Sequence, residues 1–117
     1  MKSVAQLTDP EILARYKSAL ANWNVTGYVT WKDIAREWVE KNLPGYTTRA
    51  VAERMNEFVE QESGKIDQVR EKREWIECDY HYDMRVPIEG RPIYIETILN
   101  DDDPDDPTIH VVNVKNA

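Results

Sequence analysis

The rhythm of apolar residues changes at Gly64, and that change limits the fold more than any other feature of the chain. Before Gly64 the apolar residues recur at helical spacing, and after it they alternate with polar ones. Helices followed by strands, within 117 residues and with no linker between them, predict an α+β fold. The expected layout is three helices followed by a mostly antiparallel sheet of about four strands. Residues 1–117 are read as a single domain, with residues 1–64 helical and residues 65–117 an acidic antiparallel β part.

Thr8-Asp9-Pro10-Glu11 opens the first helix, with Thr8 as N-cap, Glu11 closing a capping box and Pro10 in the first turn. Ile12, Leu13, Tyr16, Leu20 and Trp23 form its apolar face. Tyr28 and Val29 suggest a very short strand. Thr30 is the expected cap of a second helix, whose buried stripe is Ile34, Ala35, Trp38, Val39 and Leu43. Pro44-Gly45 ends it. Thr47 or Thr48 caps a third helix, which buries Val51, Ala52, Met55, Phe58 and Val59, with Gly64 as its C′ residue.

Ile66 to Glu71 is a candidate strand. From Tyr80 to Ile88 one face carries Tyr80, Tyr82, Met84, Val86 and Ile88, and the other carries His81, Asp83 and Arg85. Glu89-Gly90 is a two-residue hairpin turn. The partner strand continues with Ile93, Ile95, Thr97 and Leu99. Pairing Ile88 with Arg91 aligns the apolar faces, and it sets Arg85 opposite Tyr94 and Asp83 opposite Glu96. A last strand runs from Thr108 to Val114, with Ile109 and Val111 on one side and Val112 and Val114 on the other. An edge that is apolar on both faces raises the prospect of a homodimer.

The net charge of −7 is unevenly distributed. Residues 1–75 carry 12 basic and 12 acidic side chains, whereas residues 76–117 carry 3 and 10. A phosphate backbone could approach the front half, but the back half would repel it. One cysteine, Cys78, excludes an intrachain disulfide, and its neighbours Glu77 and Asp79 disfavour a thiolate. The chain shows no signal-peptide pattern and no apolar run of roughly 20 residues, so a cytoplasmic protein that does not cross a membrane is expected.

The stretches Val29–Ala35, Thr47–Ala52 and Gly64–Val69 resemble the second helix, third helix and first wing strand of winged helix-turn-helix domains. That resemblance implies a third helix reading a duplex groove with Thr47, Thr48, Arg49 and Asn56, while Lys65, Lys72 and Arg73 meet phosphates. Against it, the same helix presents Glu53, Glu57 and Glu60, with Glu62 just beyond. The implied function is a small regulatory or interaction protein that binds nucleic acid or a basic protein surface, with no cofactor and no catalysis.

The order of helices and strands is also similar to that of RelE-like ribonuclease toxins. This resemblance implies metal-independent RNA cleavage by His81, Asp83, Arg85 and Glu96 on the polar strand face. Asp83 beside Glu96 calls for a compensating charge, from Arg85, a metal or a partner's basic group. A third possibility is an acidic inhibitor that mimics nucleic acid, suggested by the run Asp101-Asp102-Asp103-Pro104-Asp105-Asp106. Within that run Asp101, Asp103 and Asp105 are candidate oxygen ligands for a divalent cation, although the spacing departs from an EF-hand.

Overall fold

The computed structural model describes residues 9–74, 80–101, 103 and 105–117. The order of elements is α1 (Asp9–Ala21), β1 (Val29–Trp31), α2 (Asp33–Asn42), α3 (Thr48–Glu60), β2 (Asp67–Arg70), β3 (Tyr80–Ile88), β4 (Arg91–Asp101) and β5 (Thr108–Asn116). This is the expected α+β class; the very short strand expected at Tyr28 and Val29 is β1 (Val29–Trp31), and it joins the other four strands in the sheet. The strands form a single sheet in the order β1-β5-β4-β3-β2. All neighbours are antiparallel except β1, which lies parallel to β5.

The helices cover one face of the sheet. Ile12, Tyr16, Ala19 and Leu20 of α1 are buried there with Ala35 and Val39 of α2, Leu43 just beyond it, and Val51 and Met55 of α3. They meet Tyr82, Met84, Val86, Ile88, Ile93, Ile95, Ile109, Val111 and Val114 from the strands. Ile34 departs from the expected stripe and is 62% exposed. It lies one residue before Ala35, and the helical rotation carries it off the buried face. Trp38 is only half-buried against the core.

A polar thread crosses the core. The Thr97 hydroxyl donates to the Tyr82 carbonyl at 2.9 Å, so the Tyr16 hydroxyl must be the donor in its 2.6 Å bond to Thr97. The rings of Tyr16 and Tyr82 stack with centroids 4.6 Å apart.

The caps differ from expectation in two places. Thr8 lies outside the described residues. Thr30 does not cap α2: it belongs to β1, and Lys32 takes the cap position without a side-chain hydrogen bond. Thr47 does cap α3, accepting from the Ala50 backbone N–H at 3.0 Å. At the far end of α3 the left-handed residue is Ser63 (φ 52°), not Gly64. Gly64 is needed for another reason, because a Cβ there would run into the Phe58 ring.

The hairpin register is the one read from the sequence: Ile88↔Arg91, Val86↔Ile93, Met84↔Ile95, Arg85↔Tyr94 and Asp83↔Glu96. Glu89 and Gly90 both have positive φ, 54° and 76°, as a tight two-residue turn of this hand requires. The last strand departs in two ways. It lies inside the sheet, with β1 covering Ile109–Val111, so that stretch is not a free edge. A register shift also skips Val112, between the pairs Glu96↔Asn113 and Thr97↔Val111. The bulge turns Val114 onto the core side with Ile109 and Val111.

Candidate functional site

Two places gather the residues singled out above, and they lie on opposite sides of the sheet. The first is a cleft of about 170 Å³ at the start of α3, lined by Trp23, Asn24, Val25, Thr26, Gly27, Val29, Trp31, Thr48, Arg49 and Ala52. The turn after α1 and the strand β1 supply its aromatic walls. The first turn of α3 supplies its polar rim. Arg49 is exposed; it donates to the Asn24 carbonyl at 2.8 Å and its guanidinium lies 5.9 Å from the Trp23 ring centroid. The two contacts fix the guanidinium at the rim while leaving part of its donor fork open.

The residues expected to meet nucleic acid are therefore divided. Thr48 and Arg49 line the cleft, whereas Thr47 does not, and its hydroxyl is engaged as the cap of α3. Asn56 is two turns along α3, half-buried, and its Oδ1 has no hydrogen-bond partner. Lys65 is exposed and pairs with Asp67 at 3.3 Å. Lys72 is exposed, but Arg73 is held by carboxylates on the far face of the sheet. Of the glutamates along α3, Glu57 and Glu62 pair with Arg54, at 3.9 Å and 2.7 Å, while Glu53 and Glu60 face solvent.

The second place is the sheet face turned away from the helices. Strand register lines up Asp67, Asp83 and Glu96 across β2, β3 and β4. Each carboxylate meets a different partner. Arg85 lies 3.6 Å from Asp67, His81 Nε2 lies 3.5 Å from Asp83, and Arg73 bonds Glu96. Arg73 also bonds Glu71 at 2.8 Å, so one guanidinium nitrogen bridges two carboxylates whose side chains are only 2% and 8% exposed. The positive charge expected from Arg85 thus reaches Glu96 from Arg73 instead.

The structure brings His81, Asp83 and Glu96 together and leaves Arg85 at the rim, over the Tyr94 ring. It adds Glu71, Arg73 and Tyr94. Glu71 escaped the sequence reading, yet alternation placed it: Asp67, Val69 and Glu71 share one strand face, and Arg73 continues the series. His81 Nδ1 lies 3.5 Å from Glu71 Oε2. Glu71, His81 and Glu96 can each aim one ligand atom so that all three atoms lie within 4.8 Å of one another.

The electrostatics are mixed. Burial pushes the Asp83 carboxyl up, helped by Glu96 and Asp67, against His81 and a hydrogen bond from Tyr94. Burial also pushes Glu71 up, but Arg73 and the backbone N–H groups of Arg73 and Lys72 outweigh it and hold Glu71 below the usual carboxylate range. Burial, and then the negative charge of Asp83 and Glu96, raises the Tyr94 phenol. Two buried polar atoms, His81 Nδ1 and Asp83 Oδ1, have no hydrogen-bond partner. Such orphans in an otherwise paired cluster call for a physical reason.

The acidic loop is the third place named. Asp101, Asp103 and Asp105 are exposed. Asp101 and Asp103 accept from the backbone N–H groups two residues on, at 3.0 and 2.9 Å. These carboxylates brace the loop's own turns.

Comparison with protein-family models, with curated proteins and with solved structures finds no match to this chain. Among the described residues no helix is long and apolar enough to cross a membrane.

Proposed function

We propose that this chain is a small regulatory or interaction protein that binds single-stranded nucleic acid at the cleft before α3. One observation carries the reading: Trp23 and Trp31 wall a cleft whose rim holds Arg49 at the N-terminus of a helix. Aromatic walls accept an unstacked base, and an arginine in the first turn of a helix suits the adjoining phosphate. A single strand is preferred to a duplex groove. Exposed Glu53 and Glu60 would face the phosphates if α3 lay along a groove, whereas an end-on approach meets only its first turn. The winged-helix-like order of elements belongs to the same proposal, with β2 and β3 in the place of the wing.

The test is fluorescence anisotropy of labelled ten-nucleotide DNA and RNA strands across a salt series. Binding should weaken as salt rises, and Trp31→Ala should cost about 1–3 kcal/mol, the usual worth of one base–ring stack. Arg49→Ala should lower both the affinity and the salt slope. Affinity that neither variant changes, or a slope near zero, removes the proposal.

A second reading is favoured by the convergence of His81, Asp83 and Glu96 on one strand face: RNA cleavage of the RelE-like kind. It is tested by incubating mixed RNA with the protein and with His81→Ala. Absence of cleavage, or cleavage that the substitution leaves unchanged, rejects it.

A further inference from the structure

The orphaned nitrogen of His81 points between two nearly buried glutamates, and nothing in either functional reading above requires that. We propose that Glu71, His81 and Glu96 form a binding site for a divalent first-row transition metal such as Zn²⁺, with Arg73 standing in for the cation in its absence.

Three observations carry this. First, the donor set is right. One imidazole and two carboxylates are ordinary ligands for such ions, and three protein ligands leave a position for water. Second, the spacing fits. Metal–ligand bonds of about 2.0–2.2 Å put tetrahedral ligand atoms roughly 3.3–3.6 Å apart. His81 Nδ1 and Glu71 Oε2 are 3.5 Å apart, and the Glu96 oxygen completes a set within 4.8 Å. Closing it takes about an ångström of side-chain movement. Third, the next layer out is in place. A ligating histidine usually gives its other ring nitrogen to a carboxylate, which fixes the tautomer and the ring plane. Here Nε2 faces Asp83 Oδ2 at 3.5 Å, and Tyr94 hydrogen-bonds Asp83 in turn.

Arg73 explains how the site holds together without metal. Its Nη2 bridges the same two carboxylates that a metal would take, and so offsets one of their two charges. Its side chain is 35% exposed, so it can swing outward when a smaller and more highly charged ion enters. Metal and arginine therefore compete for Glu71 and Glu96. The acidic loop is a poorer candidate, because its described aspartates are exposed and two of them, Asp101 and Asp103, are engaged by the loop's own turns.

The test is isothermal titration of the full chain with Zn²⁺, alongside proton NMR of its two histidines. One Zn²⁺ per chain should bind, and the ring protons of His81 should shift while those of His110 stay put. His81→Ala should weaken binding at least tenfold. Arg73→Gln, which removes the competing cation, should tighten it by a similar factor. The NMR readout uses the unaltered protein, so it stands even if a variant fails to fold. Binding that shifts only His110, binding that His81→Ala leaves intact, or no 1:1 binding by either the unaltered chain or Arg73→Gln would overturn the proposal.

Discussion

Removing the Thr97 hydroxyl, by Thr97→Val, should cost more than removing the Tyr16 hydroxyl that bonds to it. The two side chains share a 2.6 Å hydrogen bond in the core, and Thr97 passes its own proton on to the Tyr82 carbonyl at 2.9 Å. Burial pushes the Tyr16 phenol far above its ordinary range, so it remains a donor at every working pH. Valine nearly matches threonine in shape, so the change leaves little cavity but strands the Tyr16 O–H and breaks the bond to Tyr82. An unsatisfied buried donor costs about 1–3 kcal/mol, so a loss of about 2 kcal/mol is expected. Tyr16→Phe leaves Thr97 still bonded to Tyr82 and should cost about 1 kcal/mol. In the double variant the stranded phenol is gone, and its cost should stay near 2 kcal/mol instead of reaching the sum. The coupling of about 1 kcal/mol is measurable by urea unfolding, provided the m-value is unchanged. At about 2.1 cal/mol/K per residue, a chain of 117 residues loses roughly 4 °C of Tm per kcal/mol, so Thr97→Val should melt about 8 °C lower. Costs that simply add, or a Thr97→Val loss under about 0.5 kcal/mol, would refute the donor order deduced for this network.

Gly64→Ala should destabilise by about 1–3 kcal/mol, because the new methyl collides with the Phe58 ring and the half-buried ring must shift. A chemical-denaturation midpoint equal to that of the parent would show that the ring yields freely. Burial, and then Lys32, lowers the His110 imidazole below its ordinary value, so the unfolded chain takes up a proton there more readily than the folded one. Stability should therefore fall as pH drops through and below about 6.5, and His110→Gln should flatten that part of the profile. A Tm profile between pH 5 and 7.5 that the substitution does not alter removes the effect. On α2, Ile34→Gln should change stability by no more than about 0.5 kcal/mol, since Ile34 is 62% exposed. Leu43→Ala, at a fully buried position, should cost about 2–5 kcal/mol. Equal costs at the two positions would mean that α2 is rotated relative to the arrangement described.

Most of the fold could be read from local patterns, because the helices and the β3–β4 hairpin are short-range objects. Alternation from Tyr80 to Ile88 and the turn at Glu89-Gly90 determine a register with a single free choice, and core burial makes that choice. What stayed hidden was non-local. Nothing near Thr30 announces that Val29–Trp31 will lie parallel to β5, some 80 residues later in the chain. That pairing draws Thr30 away from its expected role as the α2 cap and into a 2.7 Å contact with His110. The bulge at Val112 was hidden for a related reason. An apolar residue on each face is compatible with simple alternation, and only the pairing with β4 shows that Val114 turns inward. The same holds for the cleft at α3. Its tryptophans were conspicuous in the sequence, but Trp23 and Trp31 become neighbours of Arg49 only when the turn after α1 packs against α3.

The polar sheet face shows how far electrostatic reasoning from register alone can go. Opposing Asp83 to Glu96 required a cation nearby, because like charges at cross-strand distance repel. The β2 pairing sharpened the demand by adding Asp67 to the same row. Arg85 was the natural candidate by alternation, since it shares a strand face with Asp83. It sits at the open end of the row, however, where Asp67 is the reachable partner at 3.6 Å. Glu96 is nearly buried, and a solvated side chain at the rim cannot compensate it. Its partner has to come from above the sheet. Arg73 does this because the chain leaving β2 keeps Glu71 and Arg73 on the face that Asp67 and Val69 already occupy. A single guanidinium shared by two buried carboxylates offsets only one of their two negative charges. It leaves His81 Nδ1, aimed at the same pair, with nothing to bond. Arg73 brings one positive charge to two glutamates and gives its bonded N–H groups to their oxygens, so part of their charge and the His81 Nδ1 lone pair are left unmatched. A cation that accepts a lone pair would meet both needs.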